Sequence, residues 1–596
     1  MEKKKMKKII ITFTFIVISF ISVYSQYSDS KIVLKAMQDE LNRSMKELKL
    51  ENLPPPYYIE YQLKVVGGYN ATAFLGNIIN SSSDFNYILN VSVRVGKYKF
   101  DNSNFMDIGF SFFGSTDDEE RFTNRSIPEE INYDILRRQL WLATDAAYKQ
   151  SSEVYSKKLA SIKNITRKDT VPDFSIVKPR KSYDTITITD FQFENYINLI
   201  KKLSEQFKGL PQIYTSRVNF EYLPTRIYYL NSEGIEYIKD EFFSGIEAIC
   251  FTQTNEGIPI AQHYSAYSRN PKNLPTVDSL NKAINDIKSK LISTINQPSL
   301  EDNYNGPVLF ECQAAGEIIS RVFAPNLIAQ REKISEGMFT SFGGRFSAFQ
   351  KKIGGRVLPE FISVIDNPKE TNFKKTELLG YYTIDDQGIE PQKVTLVENG
   401  YLKTLLNDRT PIKRVMESNG HRRGGVPIFS NLYFLIDPMK TLSNSELKNK
   451  LLDLVKQREL PYGIIVRKVM NQNIFSTALL SSTLGTISYM MDQNSIPLLE
   501  VYKVYSDGKE ELIKNVQLNS LSHQSFKDIL WGGKDLYVHN LLAQNPGGGG
   551  FGSDGSAWIP ASIITPSLLF EDLEISTIDK DIPKPPFLSN PIMNEK

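Results

Sequence analysis

The chain has 596 residues, 41% of them hydrophobic and 11% aromatic, with 70 Lys and Arg set against 68 Asp and Glu. That length exceeds what one hydrophobic core can serve, so two or three domains are expected, and a charged content of 23% excludes a long disordered polyampholyte. The near balance of charge gives no electrostatic footprint for nucleic acid, and 30 Tyr with 34 Phe favour strands.

The opening run MEKKKMKKIIITFTFIVISFISVYSQ begins with Lys3, Lys4, Lys5, Lys7 and Lys8, turns apolar at Ile9 and reaches small residues at Ser22 and Ser25. This is the pattern of a signal peptide over residues 1–25, which predicts a secreted or periplasmic protein. Removing it takes away five Lys and one Glu, so the net charge changes from +2 to −2. The apolar run is short for a membrane span, and no second long one follows, so no stable membrane insertion is expected after cleavage.

Residues 30–48 place Ile32, Leu34, Met37, Leu41, Met45 and Leu48 at helical spacing. Strands are predicted over 57–66 and 87–96, the second with alternating Leu89, Val91, Val93 and Val95. Helices are predicted over 128–165 and 190–207, and the first of them with its polar connection forms a helical insertion at about 130–185. Two long strand candidates with Asn- and Gly-containing turns come next, then a helix over 277–296. The loop QPSLEDNYNGP marks the main boundary, and strands dominate after it. The segment VENG at 397–400 reads as a hairpin turn, 545–558 as a glycine-rich loop, and ITPSLLFEDLEI as a closing strand. The fold class is therefore α+β. Its expected parts are a mixed α/β N-terminal domain (26–190) carrying the insertion, a middle strand and helix segment (191–300), and a largely β C-terminal domain (301–596).

Several polar groups interrupt this pattern. The segment LFECQAAGEIIS carries Glu311, Cys312, Gln313 and Glu317 where a buried strand runs into a helix. Thiolate and carboxylate are acceptable zinc donors, yet the four histidines (His263, His421, His523, His539) show no paired spacing, and a buried Cys is commonly a small apolar residue. The run GHRRGG puts His421, Arg422 and Arg423 on a turn, available to a peptide carboxylate or an acidic partner edge, or simply solvated. Asp385 and Asp386 are adjacent, and adjacent strand residues face opposite ways, so they are poor candidates for a shared acid/base site. The glycine loop lacks the Lys-Ser/Thr ending of a phosphate-binding loop.

From about Gly306 to Pro591 the chain resembles the TldD/TldE (PmbA) metallopeptidase family, in GPVLFECQAAGEI, FISVIDNP, YYTIDDQGIEPQKVTLVENGYLKTLLNDR, SNGHRRGGVPIFSNLYFL, VYKVYSDGKEELIKNV and ITPSLLFEDLEI, in that order. The resemblance implies a homodimer or a TldD/TldE heterodimer around a cavity. It also implies one zinc held by both His of an HExxxH motif and a late Cys, with the motif Glu as base. Three protein ligands would leave one position for the attacking water. With the shared glycine on Gly316, the first His falls on Cys312, the Glu on Gln313 and the second His on Glu317; a one-residue shift puts Glu311, Cys312 and Gly316 there instead. Neither register supplies a histidine, and the late Cys falls on Phe551. The zinc-site positions are thus degenerate, the pattern of the metal-free TldE-type subunit, and no cofactor is expected. The expected role is that of a non-catalytic half of a peptidase that holds extended peptides, with an HExxxH-bearing TldD-type partner or a second copy of itself. Two alternatives are a metallopeptidase in its own right with a relocated site around Cys312 and Glu317, and a non-enzymatic binding protein of the cell envelope.

Overall fold

The computed structural model describes residues 30–49, 51, 53–106, 122–163, 171–186, 191–335, 347–471, 473–474, 495–545, 558–578, 586, 588 and 590–591. The signal peptide expected at 1–25 and Phe551 with most of the glycine loop lie outside them. Among the described residues no helix is long and apolar enough to cross a membrane.

Counting strands of four residues or more, the first half contains α1 (Ser30–Glu47), β1 (Pro56–Phe74), β2 (Asn77–Lys97), α2 (Tyr133–Ile162), β3 (Arg180–Asp184) and α3 (Phe193–Glu205). It continues with β4 (Thr215–Asn231), β5 (Ile235–Gln253), β6 (Pro259–Ser268) and α4 (Val277–Thr294). Strands β2, β1, β4 and β5 lie side by side; β3 adds parallel to the start of β5 and β6 antiparallel to its end. Strands from both sides of residue 190 share one sheet, and the stretch at 130–185 expected as a helical insertion holds a long helix followed by a strand of that sheet.

β1 and β2 are 19 and 21 residues long, about twice the predicted lengths. Gly67, Gly68, Asn70 and the run Ser81-Ser82-Ser83 read as turn residues, but the ladder continues through them to a tight connection at Leu75 and Gly76, both with positive φ (46° and 80°). One face of this sheet is apolar. Ile59, Tyr61, Leu63, Leu89 and Val91 meet Val33, Met37, Leu136 and Leu140 of α1 and α2, and Val218 and Phe220 meet Ile200, Leu203, Ile284 and Leu291 of α3 and α4. The opposite face carries Tyr229, Tyr237, Phe243 and Tyr267 and packs on Ile384, Ile389, Leu379 and Leu542 of the second half.

The second half contains β7 (Tyr304–Phe310), α5 (Gln313–Ile318), β8 (Ile362–Asp366), β9 (Val394–Glu398), β10 (Asn431–Ile436), α6 (Asn444–Gln457) and β11 (Gly463–Val469). It ends with β12 (Ser495–Val504), β13 (Glu510–Ile513), β14 (Val516–Asn519), β15 (Ile529–Gly533), β16 (Tyr537–Gln544), β17 (Trp558–Thr565) and β18 (Leu568–Thr577). The pairings β7–β11, β11–β12, β12–β14, β14–β18 and β18–β7 return to their starting strand and close a ring. A second sheet runs β9-β8-β10-β17-β16. The predicted hairpin at VENG forms at the end of β9, with positive φ at Asn399 (48°) and Gly400 (80°), the backbone that an Asn-Gly pair tolerates best. The whole is the expected α+β architecture.

Candidate functional site

β7 hands over to α5 through Glu311 and Cys312. Glu311 accepts from Arg467 Nε at 2.9 Å, and Cys312 takes φ 46°, ψ −112°, an uncommon backbone for a residue with a Cβ. The turn is sharp, so the first residue of α5 faces the neighbouring strand β11. There Gln313 is tied twice to Val469: its carbonyl accepts the backbone N–H at 2.9 Å, and its amide donates to the backbone carbonyl at 3.2 Å. One turn on, buried Glu317 accepts from His539 Nε2 of β16 at 3.0 Å. Gly316 makes room for that imidazole; a Cβ there would lie 2.6 Å from the Cβ of His539 and 2.9 Å from its Cγ and Cδ2.

The zinc that the resemblance implies meets an unsuitable donor set here. Gln313 is neutral and its amide is spent on the backbone, and Glu317 is spent on His539. Cys312 lies exposed, its thiol pushed up by burial of the sulfur's surroundings and then by Glu311, so the thiolate that zinc needs is disfavoured. Among the described residues no three His, Cys, Asp or Glu side chains converge to hold a metal ion. The residues present do not fit a catalytic zinc.

What α5 borders instead is a cavity of about 490 Å³ lined by Gln313, His263, Lys468, Glu377, Tyr537 and His539, among others. It lies between two terminal strands: β6 pairs only with β5, and β16 only with β17, among the described residues. His263 is buried, its ring nitrogen 3.4 Å from the Val469 carbonyl, and burial with the nearby Lys468 charge holds it well below its usual range, hence neutral. The convergence of His263 and His539 on α5 went unseen in the sequence because it depends on strands of different sheets, not on spacing.

Within the GHRRGG run, His421 departs from the expected contact with a peptide or partner. His421 is fully buried, with Nδ1 2.9 Å from both Asn419 oxygens and Nε2 3.4 Å from Asp366, so it meets neither solvent nor a peptide. Arg422 pairs with Asp408 at 2.5 Å and Arg423 donates to the Pro560 carbonyl at 2.6 Å. None of the three lines the 490 Å³ cavity; Arg422 lines a smaller one of about 280 Å³ beside Glu60, Lys64 and Asp386. Asp385 and Asp386 occupy a turn, not a strand. Asp385 accepts backbone N–H groups from Gln387, Ile389 and Arg422, and Asp386 accepts from Gly424, so the pair holds the GHRRGG hairpin in place.

Two further carboxyls lie on the same sheet face as His263. Glu221 of β4 and Glu247 of β5 are diagonal neighbours, since Glu221 pairs with Gly245 and Asn219 with Glu247. Burial, then repulsion from Glu247, pushes Glu221 up to about 7. An acid raised in the folded state binds more protons folded than unfolded, so stability falls as pH rises from the unfolded carboxyl range through about 7. Glu221→Gln should therefore stabilise the protein by about 1–3 kcal/mol at pH 8, with the gain vanishing near pH 4. Thermal melts of both proteins across that range check this, and equal melts at pH 8 would contradict it.

Residues 303–577 match the family model described as the PmbA/TldA metallopeptidase C-terminal domain. The chain is similar to a metalloprotease of Methanocaldococcus jannaschii, 32% identical over 105 residues, which is 17% of this chain and 20% of that one. It is also similar to a metalloprotease TldD homolog of Buchnera aphidicola, 28% identical over 248 residues, 41% of this chain and 44% of that one. The matches thus span less than half the length of these relatives. In structure the chain is similar to TldE of Thermococcus kodakarensis, with TM-score 0.55 and 13% identity over 91% of this chain and 100% of that one. Sequence order and the family domain agree that residues 303–577 form a C-terminal domain of the TldD/TldE (PmbA) type, metallopeptidase-related, and the likeness to solved structures shows the fold.

Proposed function

We propose that the chain is an exported family member, secreted or periplasmic, that acts in proteolysis as a metal-free subunit. It holds extended peptide for an HExxxH-bearing TldD-type partner, or works as a homodimer. The observation that carries this reading is the state of the helix face where the family's motif falls: Gln313 is tied to Val469 and Glu317 to His539. These side chains do the work of packing and bonding that a ligand set cannot do at the same time. The cavity beside them supports the peptide part, because the unpaired edge of a sheet offers an extended chain its backbone hydrogen bonds.

In this reading His539 stays on Glu317 and keeps α5 and β16 together, while the cavity walls orient the peptide. Metal content tests it directly. After dialysis against a small excess of zinc, the purified protein should retain less than about a tenth of an equivalent, since ligand loss removes affinity. About one tightly held equivalent, with chelator-sensitive peptide cleavage lost in Cys312→Ala, would favour a relocated catalytic site instead.

A further inference from the structure

Among the described residues, Lys468 in the cavity wall has no carboxylate within ion-pair distance. Lys468, on β11, points its ammonium at the backbone carbonyl of His263. Glu500, the acid whose charge acts most on it, spends its carboxylate on Lys290 at 2.9 Å and the Tyr502 hydroxyl at 2.7 Å. Glu377 in the cavity wall accepts from the Ser268 hydroxyl at 2.6 Å, from the Arg269 backbone at 3.1 Å and from the Arg269 guanidinium at 3.4 Å. Lys375 lines the cavity as well. Loss of water around Lys468 brings its amine down to about 8, the response of a cation removed from solvent without full compensation. A bound anion would supply what is missing.

The edge beside it specifies where that anion sits on a ligand. Along β6, Pro259 to His263 are buried, and Tyr264 to Ala266 are half-buried and open to the cavity. Before the open stretch the strand is covered: the Gln262 amide donates to the Leu499 carbonyl and the His263 ring faces Val469. A chain added to the open edge must stop at His263, where Lys468 stands. Antiparallel addition is the sense that brings a chain's C-terminal end there, because β6 runs away from His263 toward Ser268.

Resting on the peptide-holding reading above, we propose that Lys468 receives the C-terminal carboxylate of an extended peptide laid antiparallel along the open edge of β6. The cleft would then recognise chain ends and exclude internal segments. In this arrangement the backbone edge supplies sequence-independent affinity and Lys468 supplies the selection.

The test uses a fluorescein-labelled hexapeptide of Ala, Ser and Tyr with a free C-terminus, the same peptide amidated, and an amidated version with Asp at the last position. Binding to the full protein is followed by anisotropy. The free carboxylate should bind at least about tenfold more tightly than the amide, with the advantage shrinking as pH rises past about 8. Lys468→Met should bind both alike, at the amide's affinity, and Lys468→Arg should keep part of the preference. Removing a cation that lacks a carboxylate should leave folding intact, which a thermal melt verifies. Equal binding of free and amidated peptides by the unaltered protein would overturn the carboxylate assignment while leaving peptide holding in place. Tight binding of the amidated Asp peptide would move the anion to a side chain and overturn the chain-end claim. Absence of binding by all three would overturn both readings.

Discussion

Alanine in place of Arg409 is expected to cost about 3–5 kcal/mol of stability, the range for breaking a buried ion pair from one side. Arg409 is fully buried and stands on the connection between β9 and β10. Its guanidinium pairs with Glu233 at 2.6 Å, donates to the Ser175 carbonyl at 3.1 Å through Nε, and stacks 3.8 Å from the Phe174 ring. Glu233 sits in the turn between β4 and β5, and Ser175 follows the long helix α2, so one side chain joins the second half of the chain to two places in the first. Without it the nearly buried Glu233 carboxylate is left with the Tyr98 hydroxyl, which donates to it at 2.7 Å. A denaturant titration measures the loss, and Arg409→Met with Glu233→Gln should recover most of it because no charge is left stranded. A cost below about 1 kcal/mol for the alanine variant would mean that the halves are held elsewhere.

Gly316→Ala is the second large effect, and it acts at the site. The added methyl would overlap the Cβ of His539, an atom fixed to the β16 backbone, so relief requires α5 and β16 to part by several tenths of an ångström. Overpacking of this kind costs about 1–3 kcal/mol, and loosening the contact between Glu317 and His539 adds to it. We expect about 3 kcal/mol in total by denaturant titration. The His539 imidazole resonance should shift with it, and that readout separates a local change from general instability. An unshifted resonance with unchanged stability would show that the glycine is not needed to seat the ring.

Much of the fold could be read from residue pattern because its causes are local. Asn399-Gly400 can only be a tight turn of that kind, and Leu280, Ile284, Ile287 and Leu291 recur at the period of a helix. Where local propensity and ladder pairing disagree, pattern fails: Ser81-Ser82-Ser83 look like a loop and are a strand because β1 lies alongside them. The candidate site was half legible. Gln313 and Glu317 mark it through their place in a resembling segment, but His263, Lys468 and His539 come from β6, β11 and β16, which only the folded arrangement brings together. His421 misled for the same reason: a polar run beside glycines resembles surface, and its burial follows from Asp366, 55 positions earlier.

The ring in the second half has a consequence for biosynthesis. β7 is the first of its strands to be made, and it must pair with both β11 and β18. At ordinary translation speeds, roughly ten seconds or more separate the emergence of β7 from that of β18. Through that interval Val308, Leu309 and Phe310, all fully buried in the finished protein, have no complete set of neighbours. A polypeptide released before residue 568 would keep that stretch exposed, so premature termination late in the message should yield material for proteases and chaperones, with no shortened working domain.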